Sequence, residues 1–145
     1  MNDDEIRKCI DVSIRDRVFE NVKEIYNAQY TLFNGIRIVS IKEDEVRLKM
    51  PVDGKRNSIG FAHGGAVFTI ADNAFAFAVN LTEERQVALS GHIVYHRPGV
   101  GKELLAVTSK VSDTNSVSTY DVKVYCDGKH IATATFIGFK VKDKK

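Results

Sequence analysis

Apolar residues return along the first part of the chain at a helical beat. Ile6, Ile10, Ile14, Val18, Val22 and Ile25 follow one another at intervals of four, four, four, four and three, with charged residues filling the positions between. Residues three and four apart share one face of an α-helix. The spacing predicts a helical region over about residues 3–28, in one or two helices, with a single stripe laid on a core or a partner. Asn34-Gly35 then punctuates the chain. Ile36, Ile38 and Ile41 mark a first strand. Val46, Leu48 and Met50 alternate with Arg47 and Lys49 as a second strand with one wet face. Glu43-Asp44 turns between the two, and Pro51 with Asp53-Gly54 closes the second.

The pattern then changes. After a loop from Lys55 to Ala62, the stretch from His63 to Val79 is apolar on nearly all sides, interrupted by Asp72 and Asn73. It reads as one buried helix. Beyond it the period becomes two. Val87, Leu89, Gly91, Ile93 and Tyr95 share one parity, and Pro98-Gly99 ends that run. Leu105, Val107, Ser109 and Val111 mark the next strand, which stops at Asp113-Thr114-Asn115. Val117 to Tyr125 forms another, with Val122 and Val124 inward. Asp127-Gly128 is a two-residue hairpin signal. The last strand runs from His130 to Lys140 with Ile131, Thr133, Thr135, Ile137 and Phe139 on one face. One apolar helix among so many strands has to be covered by a curved sheet. The predicted fold is α+β, a single domain over residues 1–145 with antiparallel strands wrapped around a central helix and an N-terminal helical extension over residues 1–30.

Composition narrows the function. With 43% apolar residues, 28% charged residues and a net charge of +2, the chain reads as an ordinary globular domain. The only basic cluster is the tail Lys140-Val141-Lys142-Asp143-Lys144-Lys145, read as a solvated terminus, so nucleic acid is not expected as a partner. Phe61 to Leu81 is long enough to span a bilayer, but Asp72, Asn73 and His63 break it, and no membrane association is expected. Cys9 and Cys126, far apart and outside any CxxC pattern, suit reduced thiols in a cytoplasmic protein. His92 and His96 have the spacing of a helical metal pair. On a strand their rings lie about 13 Å apart, so no metal site is expected. Ser112, Ser116 and Ser118 lack the context of a serine nucleophile.

The chemistry centres on Asp72. An ionised carboxylate on an apolar helix costs several kcal/mol unless it is paired or shares a proton. It is either bonded to Thr69, Asn73 or a strand, or kept for a reaction. Gly64-Gly65 opens the same helix. There a ligand can approach the backbone, the first N–H groups have no partner within the helix, and the dipole is positive. A developing oxyanion could be held at that end; equally, the glycines could let the helix cross close to a strand. His63 and Asp72 are nine residues apart, about 13 Å of rise and two and a half turns, so they point to opposite faces. If Gly64 and Asp72 serve one reaction, they must come from different subunits. A two-fold dimer with antiparallel helices would supply two such sites.

The run Asn57-Ser58-Ile59-Gly60-Phe61-Ala62-His63-Gly64-Gly65-Ala66-Val67-Phe68-Thr69-Ile70-Ala71-Asp72 resembles the signature of hotdog-fold acyl-CoA thioesterases, most closely the PaaI-like (phenylacetate-pathway) branch. Asn73 to Asn80 and Tyr95-His96-Arg97-Pro98-Gly99 fit as well, so the resemblance covers about residues 30–140. It implies a sheet of five or six strands around a long helix, dimers with a continuous sheet and, usually, homotetramers. It implies hydrolysis of an acyl-CoA, with aromatic acyl groups favoured, to a carboxylic acid and free CoA without a cofactor. By position, Asp72 matches the catalytic carboxylate, acting as general base or as nucleophile. Gly64 matches the residue whose N–H polarises the thioester carbonyl, Asn57 one that places water or substrate, and His63 the histidine bordering the carbonyl. Phe61, Gly65, Phe68 and Arg97 are candidates for substrate contact, with Lys102, Lys55 and Arg56 as further cations for the CoA phosphates. Some relatives carry a hydroxyl on the strand after the helix; Ala88 stands there, with Ser90 two residues on. A hydratase or dehydratase of acyl thioesters and a non-catalytic acyl-CoA-binding protein are the alternative readings.

Overall fold

The computed structural model describes residues 1–141. Residues 142–145 of the basic tail lie outside the described residues. Ten elements follow in order: α1 (Asp3–Cys9), α2 (Arg15–Tyr26), α3 (Gln29–Phe33), β1 (Arg37–Ile41), β2 (Val46–Pro51), α4 (Gly64–Val79), β3 (Gln86–Tyr95), β4 (Glu103–Asp113), β5 (Val117–Cys126) and β6 (Lys129–Lys140). The strands form one antiparallel sheet in the order β1-β2-β4-β5-β6-β3, curled around α4.

The N-terminal beat survives a chain break. Ile6, Ile10, Ile14, Val18 and Val22 are all buried, although Ile10 to Ile14 lies between two helices. Asn2 caps α1 with a capping box, accepting from the Glu5 N–H while the Glu5 carboxylate accepts from its own. Ile10 then pairs in parallel with Ile41 of β1, and the Cys9 thiol donates to the Ile38 carbonyl. The extension therefore covers the β1 edge of the sheet. No pattern announced α3, a five-residue helix joined to α4 by side-chain hydrogen bonds.

Bulges decide which residues face α4. In β1 a register shift between Ile38 and Ser40 explains how Ile38 and Ile41, three apart, are both buried. In β3 a shift between Ala88 and Ser90 pairs Ser90 with Ile137 and Gly91 with Phe136. Cross-strand partners share a face. Ala88, Gly91, Ile93 and Tyr95 therefore lie on the helix side, and Ser90 is turned away, so Ala88 and Ser90 do not share a face. In β4 the buried residues are Leu104, Ala106 and Thr108, the alternate set to Leu105, Val107, Ser109 and Val111. In β6 they are Ile131 at the start of the strand, then Ala132, Ala134, Phe136 and Gly138, while Thr133, Thr135, Ile137 and Phe139 take the outer face. Apart from Phe136, the middle of the inner face is small because the helix brings large rings of its own. Phe75 stacks on Phe136 at 5.0 Å, and Phe68 tilts against the same ring at 5.5 Å. A Cβ at Gly138 would stand 2.8 Å from the Phe75 ring, and one at Gly91 would stand 2.8 Å from Phe136. The Asp127-Gly128 hairpin forms as read, both residues at positive φ.

Two surfaces stay open. The helix α4 is buried along Val67, Ile70, Ala71, Ala74, Phe75 and Phe77, but Gly65, Phe68, Thr69, Asp72 and Ala76 form a stripe that the protomer leaves partly uncovered. The expectation of a helix covered on nearly all sides is corrected to this extent. At the far end of the sheet the outer edge of β3 has no partner strand among the described residues, and Val87 is 55% and Leu89 64% exposed. Among the described residues no helix is long and apolar enough to cross a membrane.

Candidate active site

The loop between β2 and α4 is built around Asn57. Its Oδ1 accepts from the N–H groups of Ile59 at 3.1 Å and Phe61 at 3.0 Å, and its own N–H donates to the Phe61 carbonyl at 2.8 Å. Gly60 turns at φ +89° and donates to the Asn57 carbonyl. Two backbone donors on Oδ1 fix the amide's orientation and leave Nδ2 as a donor without a partner among the described residues. Ala62 N–H donates to Gly99 and His63 N–H to Lys55, which brings the loop to the end of β3.

His63 is the N-cap of α4. Its Nδ1 accepts from the Gly65 N–H at 2.9 Å, and its carbonyl accepts from Ala66 at 2.9 Å and Val67 at 3.0 Å. Of the four N–H groups that a helix start leaves unpaired, those of His63, Gly65 and Ala66 are satisfied, the first by the Lys55 carbonyl, while the Val67 bond is the first ordinary turn of the helix. Gly64 N–H alone has no acceptor among the described residues. The opposite side of the same residue is fixed, since the Tyr95 hydroxyl donates to the Gly64 carbonyl at 3.0 Å. A Cβ at Gly65 would crowd His63 Nδ1 at 3.2 Å, so this glycine serves the cap.

A groove of about 470 Å³ runs past these groups, lined by Asn57, Ile59, Phe61, Gly64, Tyr95, His96, Arg97 and Pro98 among others. Arg97 donates to the His130 carbonyl at 2.8 Å and stands between this groove and a second hollow that reaches Lys129. Lys55 and Arg56 are occupied with loop carbonyls, at Pro51 and at Gly60 and Gly101.

The structure thus brings Asn57, Phe61, Gly64 and Arg97 together, with His63 and Gly65 as the cap at their edge. Phe68 and Asp72 lie outside the groove, on the open stripe of α4. The Asp72 carboxylate makes no hydrogen bond with a described residue. Thr69 and Asn73, the partners considered for it, are engaged with Tyr30 and Thr31. Burial pushes the Asp72 carboxyl above the usual carboxylate range. Phe75 and Phe77 are core. Sequence reading places Tyr95 only in a matching segment and Thr69 only as a possible partner of Asp72, and it does not foresee the Tyr95 contact with Gly64 or the Tyr30 contact with Thr69. Their signal is side-chain hydrogen bonding between distant segments, which no local periodicity carries. Among the described residues no group of three or more metal-binding side chains is present.

A six-stranded antiparallel sheet wrapped around one helix, with an unspent N–H at the helix start, defines a hotdog-fold thioester hydrolase. Residues 59–133, just over half of the chain, match the thioesterase superfamily, and the chain belongs to that family. The acyl-coenzyme A thioesterase PaaI of Escherichia coli is 33% identical over 92 residues, 62% of this chain and 66% of its own length. The structure of the E. coli PaaI protein superposes with a TM-score of 0.82 at 26% identity, over 89% of this chain and 96% of that one. A Streptococcus mutans protein solved with acetyl CoA bound gives a TM-score of 0.68 at 31% identity, over 76% of this chain and 91% of its own.

Proposed function

We propose that the protein hydrolyses acyl-CoA thioesters at sites shared by two protomers. The observation that carries this reading is a separation. The free donors, Gly64 N–H and Asn57 Nδ2, line one groove, and the free acid, Asp72, lies outside it on the stripe of α4 that one protomer leaves open. A two-fold axis perpendicular to α4, which sets the two helices antiparallel, joins them. Setting Gly64 against the partner's Asp72 places Phe68 opposite its own copy, halfway between the two sites. The unpaired apolar β3 edge supports pairing on the same side of the molecule, giving a sheet continuous through both copies. Such dimers then pair into a homotetramer. The free thiols of Cys9 and Cys126 suit a reducing, cytoplasmic setting.

The thioester carbonyl lies against Gly64 N–H and Asn57 Nδ2. As water attacks the carbonyl carbon, its proton passes to the partner's Asp72, acting as general base. The tetrahedral oxyanion draws on the two donors, and one such donor is typically worth about 3–4 kcal/mol. The carbon–sulfur bond then breaks, the CoA thiolate takes up the proton, and a carboxylic acid leaves. Raising the carboxyl's pKa makes Asp72 a stronger base at neutral pH. The acyl group enters between Phe68 and Phe61 of the facing protomer, which favours flat aromatic acyl groups, and Arg97 meets the CoA phosphates. No cofactor takes part.

A panel of acyl-CoAs with thiol detection tests the reading. Release of free CoA in stoichiometry with acid is expected, together with a mass corresponding to a dimer or a tetramer. Hydration of an enoyl-CoA without thiol release, or tight acyl-CoA binding without turnover, overturns it.

A further inference from the structure

The water that gives its proton to Asp72 has to be held in place. The carboxylate has no protein partner among the described residues, so the water needs a second ligand from a neighbouring group. β3 offers none. Its bulge turns Ser90 outward, leaving Ala88, Gly91 and Ile93 toward the helix, and the Tyr95 hydroxyl is spent on the Gly64 carbonyl. On the other flank of the open stripe lies α3. Thr31, buried, donates to Asn73 Oδ1 at 2.8 Å, and Asn73 Nδ2 donates to the Thr69 carbonyl at 3.0 Å. This pins α3 to the turn of α4 that carries Asp72. Beside it Tyr30 Oη lies 3.1 Å from Thr69 Oγ1.

That hydroxyl pair has an unspent proton. Two hydroxyls bring two O–H donors, and one of them is used between the pair. A mid-helix threonine commonly bonds the carbonyl four residues back, but Thr69 makes no such bond among the described residues; its only side-chain partner there is Tyr30. The remaining O–H therefore has no protein acceptor. Thr69 stands three residues before Asp72 on the same stripe, about 5–6 Å between Cβ atoms. The two side chains make no direct hydrogen bond, and such a separation suits one bridging water.

We propose that the Tyr30–Thr69 hydroxyl pair holds the water that Asp72 deprotonates, so that the N-terminal extension supplies part of the hydrolytic machinery. The pair donates one O–H to the water oxygen, and the water donates one of its own to the Asp72 carboxylate. A lone pair is thereby aimed away from α4, toward the carbonyl carbon held at the facing helix start. Tyr30 is 58% exposed because its ring stands at the rim of the stripe rather than in the core. This inference rests on the reading of Asp72 as general base.

Thr69→Val removes the hydroxyl at nearly constant shape, and Thr69→Ser restores it. Steady-state kinetics should show kcat lowered about tenfold in Thr69→Val, the size of one net hydrogen bond, with KM within about twofold of the wild type. Thr69→Ser should recover to within about threefold, and the solvent-facing Tyr30→Phe should lose about threefold to fivefold. In an Asp72→Asn background Thr69→Val should cost nothing further, because both groups act on one water. A kcat within about twofold in both Thr69→Val and Tyr30→Phe, with Asp72→Asn inactive, overturns this proposal alone. So does a loss that appears in KM or that adds fully to Asp72→Asn. Near-normal turnover in Asp72→Asn removes the base itself, and this inference with it.

Discussion

Asn57→Asp separates the two jobs of one side chain. Oδ1 holds the loop through the N–H groups of Ile59 and Phe61, and Nδ2 is the free donor in the groove. Aspartate keeps the acceptor and strengthens it, since a carboxylate bonds N–H groups more strongly than an amide does. It also deletes the donor and sets a negative charge where the oxyanion grows. Alanine removes both functions. Each side chain–backbone bond contributes about 1 kcal/mol, so Asn57→Ala should lose about 2 kcal/mol. An unfolding entropy of about 2.1 cal/mol/K per residue over 145 residues converts this to a Tm lower by roughly 6–7 °C. Asn57→Asp should melt within about 2 °C of the wild type or above it, yet lose about 10²–10³ in kcat. Melting followed by circular dichroism and thiol release from an acyl-CoA read the two effects on the same samples. Wild-type turnover in Asn57→Asp would refute the donor role, and a Tm as low as that of Asn57→Ala would refute the loop geometry.

Asp72→Asn should lower kcat about a thousandfold and raise Tm at pH 7. The folded carboxyl titrates above its ordinary 3.8, so between that value and the raised one the folded state binds protons more readily than the unfolded chain. Wild-type stability therefore falls as pH rises through that window. The Tm gap between Asp72→Asn and wild type should close as the buffer is made acidic, and a gap constant with pH would contradict this. Gly138→Ala pushes a methyl toward Phe75 and Gln86, at 2.8 and 2.5 Å, and should destabilise by about 1–3 kcal/mol in urea titration. Leu89→Lys places a charge on the open β3 edge. It should yield a folded, inactive monomer by size-exclusion chromatography, and an active monomer would break the link between pairing and catalysis.

Much of the fold was legible because its signals are local. The helical beat, the lone apolar helix and the Asp127-Gly128 turn each depend on neighbours within a few positions. Facing was not. A single extra residue near Leu89 reverses which side of β3 meets the helix, and alternation by parity cannot register it. In β6 the inner positions around Phe136 are the small residues Ala132, Ala134 and Gly138 because Phe68 and Phe75 pack on that ring, a fact about α4 rather than about β6. The site was half legible. The unpaired donors at Asn57 and Gly64 could be anticipated from the loop, the Gly-Gly start and the resemblance. That His63 spends its ring nitrogen on Gly65, leaving Gly64 as the one free N–H of the first turn, required coordinates. So did the contacts of Tyr30 and Tyr95 across 39 and 31 residues of chain.

Complementation tests the shared site most directly. Asp72→Asn and Asn57→Asp chains, each inactive alone, are co-expressed with two different tags, and the mixed oligomer is purified through both. In a mixed dimer one site combines the intact Asp72 of one chain with the intact Asn57 of the other, and the second site carries both substitutions. Activity near half of wild type per mixed dimer is the predicted result. A mixed dimer no more active than its two inactive parents would place the acid and the amide of each site in the same chain.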